Sequence, residues 1–136
     1  MDMIKSLFIS ASGLKAQNGR MRVIAENIAN ADSTAKEPGG EPYRRKIPTF
    51  QSHFDRELGA EVVELGRISE DRSAFEERYM PGHPAANAQG YVLEPNVNTL
   101  IETTDMREAQ RSYEANLNVI ESTRRMLQRT IDILRG

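Results

Sequence analysis

NTLIETTDMREAQRSYEANLNVIESTRRMLQRTIDILR, from Asn98 to Arg135, is the stretch that decides the fold. Placed on a helix, it carries an apolar seam of Tyr113, Leu117, Ile120, Leu127, Ile131 and Leu134. The steps alternate between four and three residues, with Arg124 in the one gap. That is the heptad pattern of a helix that packs lengthwise against other helices. One register over runs a second seam of Asn116, Val119, Thr123, Met126, Thr130 and Ile133. Two adjacent seams make more contact surface than one partner helix covers. The stretch contains no Pro or Gly, so nothing in it breaks the helix. Its length would be about 55 Å, whereas a compact chain of this size has a radius of gyration of about 14 Å. The mismatch points to a protein built to pack into something larger.

The start of this helix has two candidate caps. Thr99 and Glu102 have capping-box spacing, and Asn98 competes as the N-cap. Along the helix, Glu121 precedes Arg125 by four residues and Asp132 precedes Arg135 by three, which supports the helix and its solubility. Arg129 and Arg135 suit the negative end of the helix dipole.

Residues 3–31 form the second helical block. Leu7, Ala11, Leu14, Asn18, Met21, Ala25 and Ile28 fall on four-three spacing, with Ile4 extending the seam and Ile24 flanking it. Alanine alternates with larger residues, which allows close approach to a partner. Asn18 reads either as a register-fixing contact or as a residue at the solvent edge of the seam. Gly13 and Gly19 each weaken an isolated helix by about 1 kcal/mol relative to Ala, so this helix is expected to form fully only when docked.

Asn30, Asp32 and Ser33, followed by Pro38-Gly39-Gly40 and Pro42, end the helix and open a loop. Gly39-Gly40 is no phosphate cradle, since no Lys-Ser/Thr follows and no strand precedes. Arg44, Arg45 and Lys46 form a basic cluster beside Tyr43; a solvated loop edge is the favoured reading, a contact with an acidic partner surface the sharper one. From Ile47 to Leu93 the period changes. Val63 with Leu65, Phe75 with Tyr79, and Tyr91 with Leu93 predict three or four short strands, turning at Gly59, Gly66, Pro81-Gly82 and Gln89-Gly90. Phe50 and Phe54 are four apart and read as one helical turn or as anchors of this module's core. So small a β module is marginal alone and is expected to lean on the helices or on neighbours.

Composition narrows the chemistry. A net charge of −2 supplies no basic field for nucleic acid or anionic lipid. The absence of cysteine excludes disulfides, zinc-thiolate sites and thiol nucleophiles. His53 and His83 lack metal-ligand spacing, and His83, in a Pro-Gly-His-Pro turn, reads as a satisfied surface side chain. No serine sits in a nucleophile elbow. No catalytic, cofactor-binding or metal site is expected, and the chain is expected not to be an enzyme. The run Leu7-Phe8-Ile9 after Lys5 is broken by Ser10, Ser12, Gly13 and Lys15, so neither a cleaved signal nor a transmembrane span is read.

Three stretches resemble a known family. Val23-Ile24-Ala25-Glu26-Asn27-Ile28-Ala29-Asn30-Ala31-Asp32-Ser33-Thr34 looks like the N-terminal signature of bacterial flagellar rod and hook proteins. His83-Pro84, Gly90-Tyr91-Val92 and Pro95-Asn96-Val97-Asn98 resemble the approach to the C-terminal helix in proximal rod proteins of the FlgC type. Ser112-Tyr113-Glu114-Ala115-Asn116 resembles that family's Tyr-x-Ala-Asn helix, and Pro42-Tyr43-Arg44-Arg45-Lys46 fits the type. Two departures stand out: Ala85-Ala86-Asn87 replaces an expected acidic residue, and a Gly/Pro loop stretches the interval from Thr34 to Tyr43.

The resemblance implies a structural subunit of the flagellar basal-body rod. Its terminal helices would pair as a coiled-coil-like hairpin and stack with neighbours into a tube that transmits torque across the periplasm. It implies export by the flagellar type III apparatus without a cleaved signal peptide. The implied partners are further copies and rod proteins of the FlgB, FlgF and FlgG types, with a FliE-type adaptor nearby. The expected fold is α+β and mainly α. Residues 1–34 and 97–136 supply the helices of a rod-core domain, and 35–96 a loop and small β module. The expected subunit interface is Leu7, Ala11, Leu14, Asn18, Met21, Ala25, Ile28, Asn30, Tyr113, Asn116, Leu117, Ile120, Leu127, Ile131 and Leu134. The alternative is a soluble coiled-coil adaptor or chaperone that binds one partner helix.

Overall fold

In the computed structural model, which describes residues 2–136, the first helix begins at a carboxylate cap. Asp2 Oδ1 accepts a hydrogen bond from Ile4 N at 3.0 Å, satisfying one of the free amides of α1, Met3–Ala29. The chain continues through β1 (Lys46–Ile47), β2 (Phe50–Asp55), β3 (Ala60–Leu65), β4 (Ser69–Glu70), β5 (Glu76–Tyr79) and β6 (Tyr91–Glu94) to α2 (Thr99–Arg135). The class is α+β and mainly α, with a small sheet region between two long helices.

The start of α2 settles the competition between caps. Asn98 Oδ1 accepts from Leu100 N at 3.0 Å and Ile101 N at 3.4 Å, so Asn98 is the N-cap. The Thr99 capping box does not form. Its Glu102 is 1 % exposed and is engaged elsewhere.

The strands form three antiparallel pairs, β1 with β4, β2 with β3, and β5 with β6. This is more than the three or four expected, because β1 and β4 are two residues long and too short to show alternation. Phe50 and Phe54 lie on β2 and are 43 % and 60 % exposed, so they neither form a helical turn nor anchor a core.

The chain groups into two compact units. One holds α1 up to Met21, Thr49–Arg67, and α2 from Arg107 on. Here the helices run antiparallel: Gly13 faces Asn116, and Arg20 lies 3.6 Å from Glu108, so α2 numbers fall as α1 numbers rise. A Cβ on Gly13 would stand 2.8 Å from Asn116 Nδ2. The β2–β3 hairpin joins α1 through Val63 N, which donates to Ser12 Oγ at 3.3 Å, and through Leu65 against Gly19. The residues fully buried in this unit are Ser10, Ala16, Ala109 and Thr123, all of them small.

The other unit holds Arg22–Pro48 and Ile68–Met106. Val23, Ile24, Ala85 and Val92 are buried in it, as are Pro42 and Pro95. In the β5–β6 hairpin Tyr79 pairs with Tyr91 edge to face, ring centroids 5.4 Å apart. Gly90, just before β6, has φ +87 and lies against Tyr79 and Pro81. A Cβ there would stand 2.9 Å from the Tyr79 ring.

Gly90→Ala is therefore expected to lower stability by about 1–2 kcal/mol from the left-handed backbone alone, with crowding added. A urea titration of the natural chain and the variant, followed by circular dichroism, reads the difference; equal midpoints would contradict this account of the turn.

Candidate functional site

The expected seams meet the structure unevenly. On α1, Leu7, Leu14, Met21 and Ile28 are half-buried, while Ala11, Asn18 and Ala25 are exposed. The fully buried positions are Ser10, Ala16, Val23, Ile24 and Asn27, a stripe turned away from the expected one. The weak contrast between the helix's faces explains this, since small and apolar residues occur all round it. Asn18 is exposed in the single chain. Asn30, in the turn after α1, donates from Nδ2 to Glu26 O at 2.9 Å and accepts from Ser33 Oγ at 3.0 Å.

On α2 the covered face is Glu102, Met106, Ala109, Tyr113, Asn116, Ile120, Thr123 and Leu127, which again alternates steps of four and three. It takes Tyr113, Ile120 and Leu127 from one expected seam and Asn116 and Thr123 from the other. Leu117, Ile131 and Leu134 face outward at 37 %, 46 % and 81 % exposure. Residues 128–136 are all exposed. The unit that contains these last turns thus leaves several of its large apolar side chains in water, half-covers others, and among the described residues fully buries only small ones.

The other unit is organised by polar groups. Asn27 on α1 is fully buried and saturated. Its Oδ1 accepts from Tyr43 Oη at 2.8 Å and Lys46 N at 3.0 Å; its Nδ2 donates to Lys46 O at 2.8 Å and Glu102 Oε2 at 3.2 Å. The amide pairs with both backbone groups of Lys46, as a neighbouring strand would. Glu102 then meets the Arg45 guanidinium in an ion pair, and Arg45 also reaches Asp71 at 3.3 Å. Asn96 joins the same segments: its Oδ1 accepts from Arg45 N at 2.8 Å and its Nδ2 donates to Asp71 O at 2.9 Å. Arg44 lies over the Phe75 ring, 4.2 Å from its centroid, and donates to Asp71 O at 2.9 Å.

This corrects the reading of Arg44-Arg45-Lys46 as a solvated edge. The cluster is internal: Arg45 serves a buried carboxylate, and Lys46 pairs with Glu26 at 2.5 Å. Sequence reasoning missed Asn27 and Glu102 as core residues. The available signal was Asn27 following Val23 and Ile24 on the helix, with a Tyr-Arg-Arg-Lys run able to answer it. His83, half-buried, is satisfied as read: Nδ1 accepts from Ala85 N at 3.0 Å, which leaves Nε2–H of the neutral ring to donate to Thr34 Oγ1 at 3.1 Å.

The network sets its own electrostatics. Burial pushes the Tyr43 hydroxyl up to about 12, helped by the negative charges of Glu26 and Glu102. Hydrogen bonds from the Ser73 amide and hydroxyl, then Arg45, hold the Asp71 carboxyl below the usual range. Burial works against the Arg45 charge, but Glu102 and Asp71 together raise its affinity for the proton.

Comparisons with known proteins bring out a family. Residues 7–35 match the family described as flagella basal body rod protein, and residues 88–133 match the C-terminal family of flagellar basal body rod FlgEFG proteins. The chain is 52 % identical over 128 residues to the flagellar basal-body rod protein FlgC of Agrobacterium fabrum, covering 94 % of this chain and 92 % of the relative. It is 41 % identical to the FlgC protein of Bacillus subtilis, over 98 % of this chain and 99 % of the relative. For the FlgC protein of Escherichia coli O157:H7 identity is 35 %, with 98 % of each chain covered.

Removing Arg45 strands the Glu102 carboxylate. Arg45→Met is expected to cost about 3–5 kcal/mol, and the double variant Arg45→Met/Glu102→Met less than the single one; urea denaturation of both checks the order. Tyr43 contributes stability that is complete below pH 10 and is lost as pH rises from 10.0 toward about 12, because its folded-state value is raised. The stability gap between the natural chain and Tyr43→Phe should therefore narrow over that interval, and a gap constant with pH would remove the assignment.

Proposed function

The chain belongs to the FlgC family of flagellar basal-body rod proteins, and from that premise we propose how it builds the rod. It is a structural subunit of the basal body, not an enzyme, and it assembles with other rod components. In our reading, residues 1–34 and 97–136 supply a coiled-coil-like helical hairpin, and 35–96 the loop and β module. The hairpins pack side by side into a helical tube that carries torque across the periplasm.

One observation carries this reading. In the unit that contains Arg107–Gly136, every fully buried residue among those described is small, while Leu117, Val119, Met126, Ile131, Ile133 and Leu134 lie 37–81 % exposed on one helix. Burying a large aliphatic side chain stabilises by about 1.5–3 kcal/mol. A surface with so many of them left in water gains by association. Leu7, Leu14, Met21, Ile28, Tyr113, Asn116, Ile120 and Leu127 are half-buried, so they have surface left to offer neighbours. Ala11, Asn18, Ala25 and Asn30 complete the proposed interface.

The neighbours we propose are further copies and rod proteins of the FlgB, FlgF and FlgG types, with a FliE-type adaptor. We also propose export without a cleaved signal peptide. No helix among the described residues is long and apolar enough to cross a membrane. The adaptor alternative has less support, because one partner helix would leave much of the exposed apolar surface of α2 uncovered.

Leu117→Asp tests the tube. Because Leu117 is already 37 % exposed, the variant should keep the helical circular dichroism of the natural chain. It should be made at normal level, be missing from purified basal bodies, and abolish swimming. Normal swimming would overturn the packing proposed for α2.

A further inference from the structure

The β2–β3 hairpin leaves part of one face uncovered, beyond Leu65, which lies against Gly19 of α1. Its register sets Phe50 opposite Leu65, Ser52 opposite Val63 and Phe54 opposite Glu61, so these residues share one side of the sheet. Phe50, Phe54 and Val63 are 43 %, 60 % and 38 % exposed. Two phenylalanines held toward water on so small a hairpin mark a contact surface. Glu61 lies on the same face beside Phe54, and Glu57 lies in the adjoining turn; both are exposed. Glu61 and Glu57 thus put two carboxylates at this end of the face, beside Arg56 in the same turn and Lys5 at Gly59.

The last turns of α2 carry a complementary ridge. Met126, Ile131, Ile133 and Leu134 are 50 %, 46 %, 78 % and 81 % exposed. At 3.6 residues per turn they span an arc of roughly 160°, bordered by Arg129 on one side and Arg124 on the other. Both arginines are exposed. From Met126 to Leu134 the ridge runs about 12 Å along a helix, and from Phe50 to Phe54 the patch runs about 13 Å along a strand. The two surfaces agree in length and in apolar character, and the Glu61 and Glu57 carboxylates of one are complementary to the Arg124 and Arg129 guanidinium groups of the other.

Both lie uncovered in the same chain, so neither serves as the other's cover within it. We infer that the Phe50–Phe54 face seats the last turns of α2 from a second copy, with the arginines of the ridge at Glu61 and Glu57. This contact rests on the rod reading and adds to it. It gives the hairpin a role in joining subunits rather than in completing its own chain's core.

The natural sequence has no cysteine, which makes the contact directly readable. Phe54→Cys and Leu134→Cys chains are expressed together in flagellated cells, oxidised mildly, and recovered in purified basal bodies. A disulfide-linked dimer is expected only when both variants are present. Glu61→Lys in the Phe54→Cys chain should lower its yield about threefold, the scale of an exposed ion pair, and Arg129→Glu in the Leu134→Cys chain should restore it. Ser52→Cys with Ile133→Cys provides a second pair with the same expectation. Basal bodies that contain the chains but give no mixed dimer with either pair, or give only like-with-like dimers, overturn this contact and leave the rod reading intact. Absence of the natural chain from basal bodies overturns the rod reading, and this contact with it.

Discussion

A carboxylate taken fully out of water must find its compensation in the protein, and Glu102 sets that requirement here. Arg45 supplies the charge and Asn27 the amide hydrogen. Each of these is fixed in turn, Asn27 by Tyr43 and the Lys46 backbone, Arg45 by Asp71 and Asn96. Segments far apart in sequence are thereby tied at defined positions. The apolar core of this unit is small, with Val23, Ile24, Ala85 and Val92 among its buried members. Specificity of position comes from the polar groups, because an apolar core this small would tolerate several arrangements.

The other unit is held differently. Gly13 lets α1 and α2 come close at Asn116, and Ala16 and Ala109 are buried in the same unit. Small residues permit a close approach but bury little area, so the internal gain is modest. Leu117, Val119, Met126, Ile131, Ile133 and Leu134 of α2 remain outside.

The two kinds of cohesion have different consequences for a rod. A network of directional bonds sets geometry, and it is lost when one member fails. Apolar ridges are more tolerant of exact partner and register. The β2–β3 hairpin belongs with the second kind: its phenylalanines face outward, on strands whose backbone is already paired.

The two long helices, the β region between them and the family were legible in the sequence. A break-free heptad run, a four-three run before it, and a change of period in the middle are local signals, and local signals survive in a linear chain. Which face of each helix is covered was not legible. α1 carries small and apolar residues on several sides, so its buried stripe depends on where α2 lies rather than on its own pattern. The charge run at Arg44-Arg45-Lys46 looked solvated because its counterpart, Glu102, lies 57 residues from Arg45. The sequence determined which segments become helix and strand, through periodicity and capping. Only the tertiary structure decided which polar residues are core and which apolar ones are surface, because burial depends on partners that are distant along the chain.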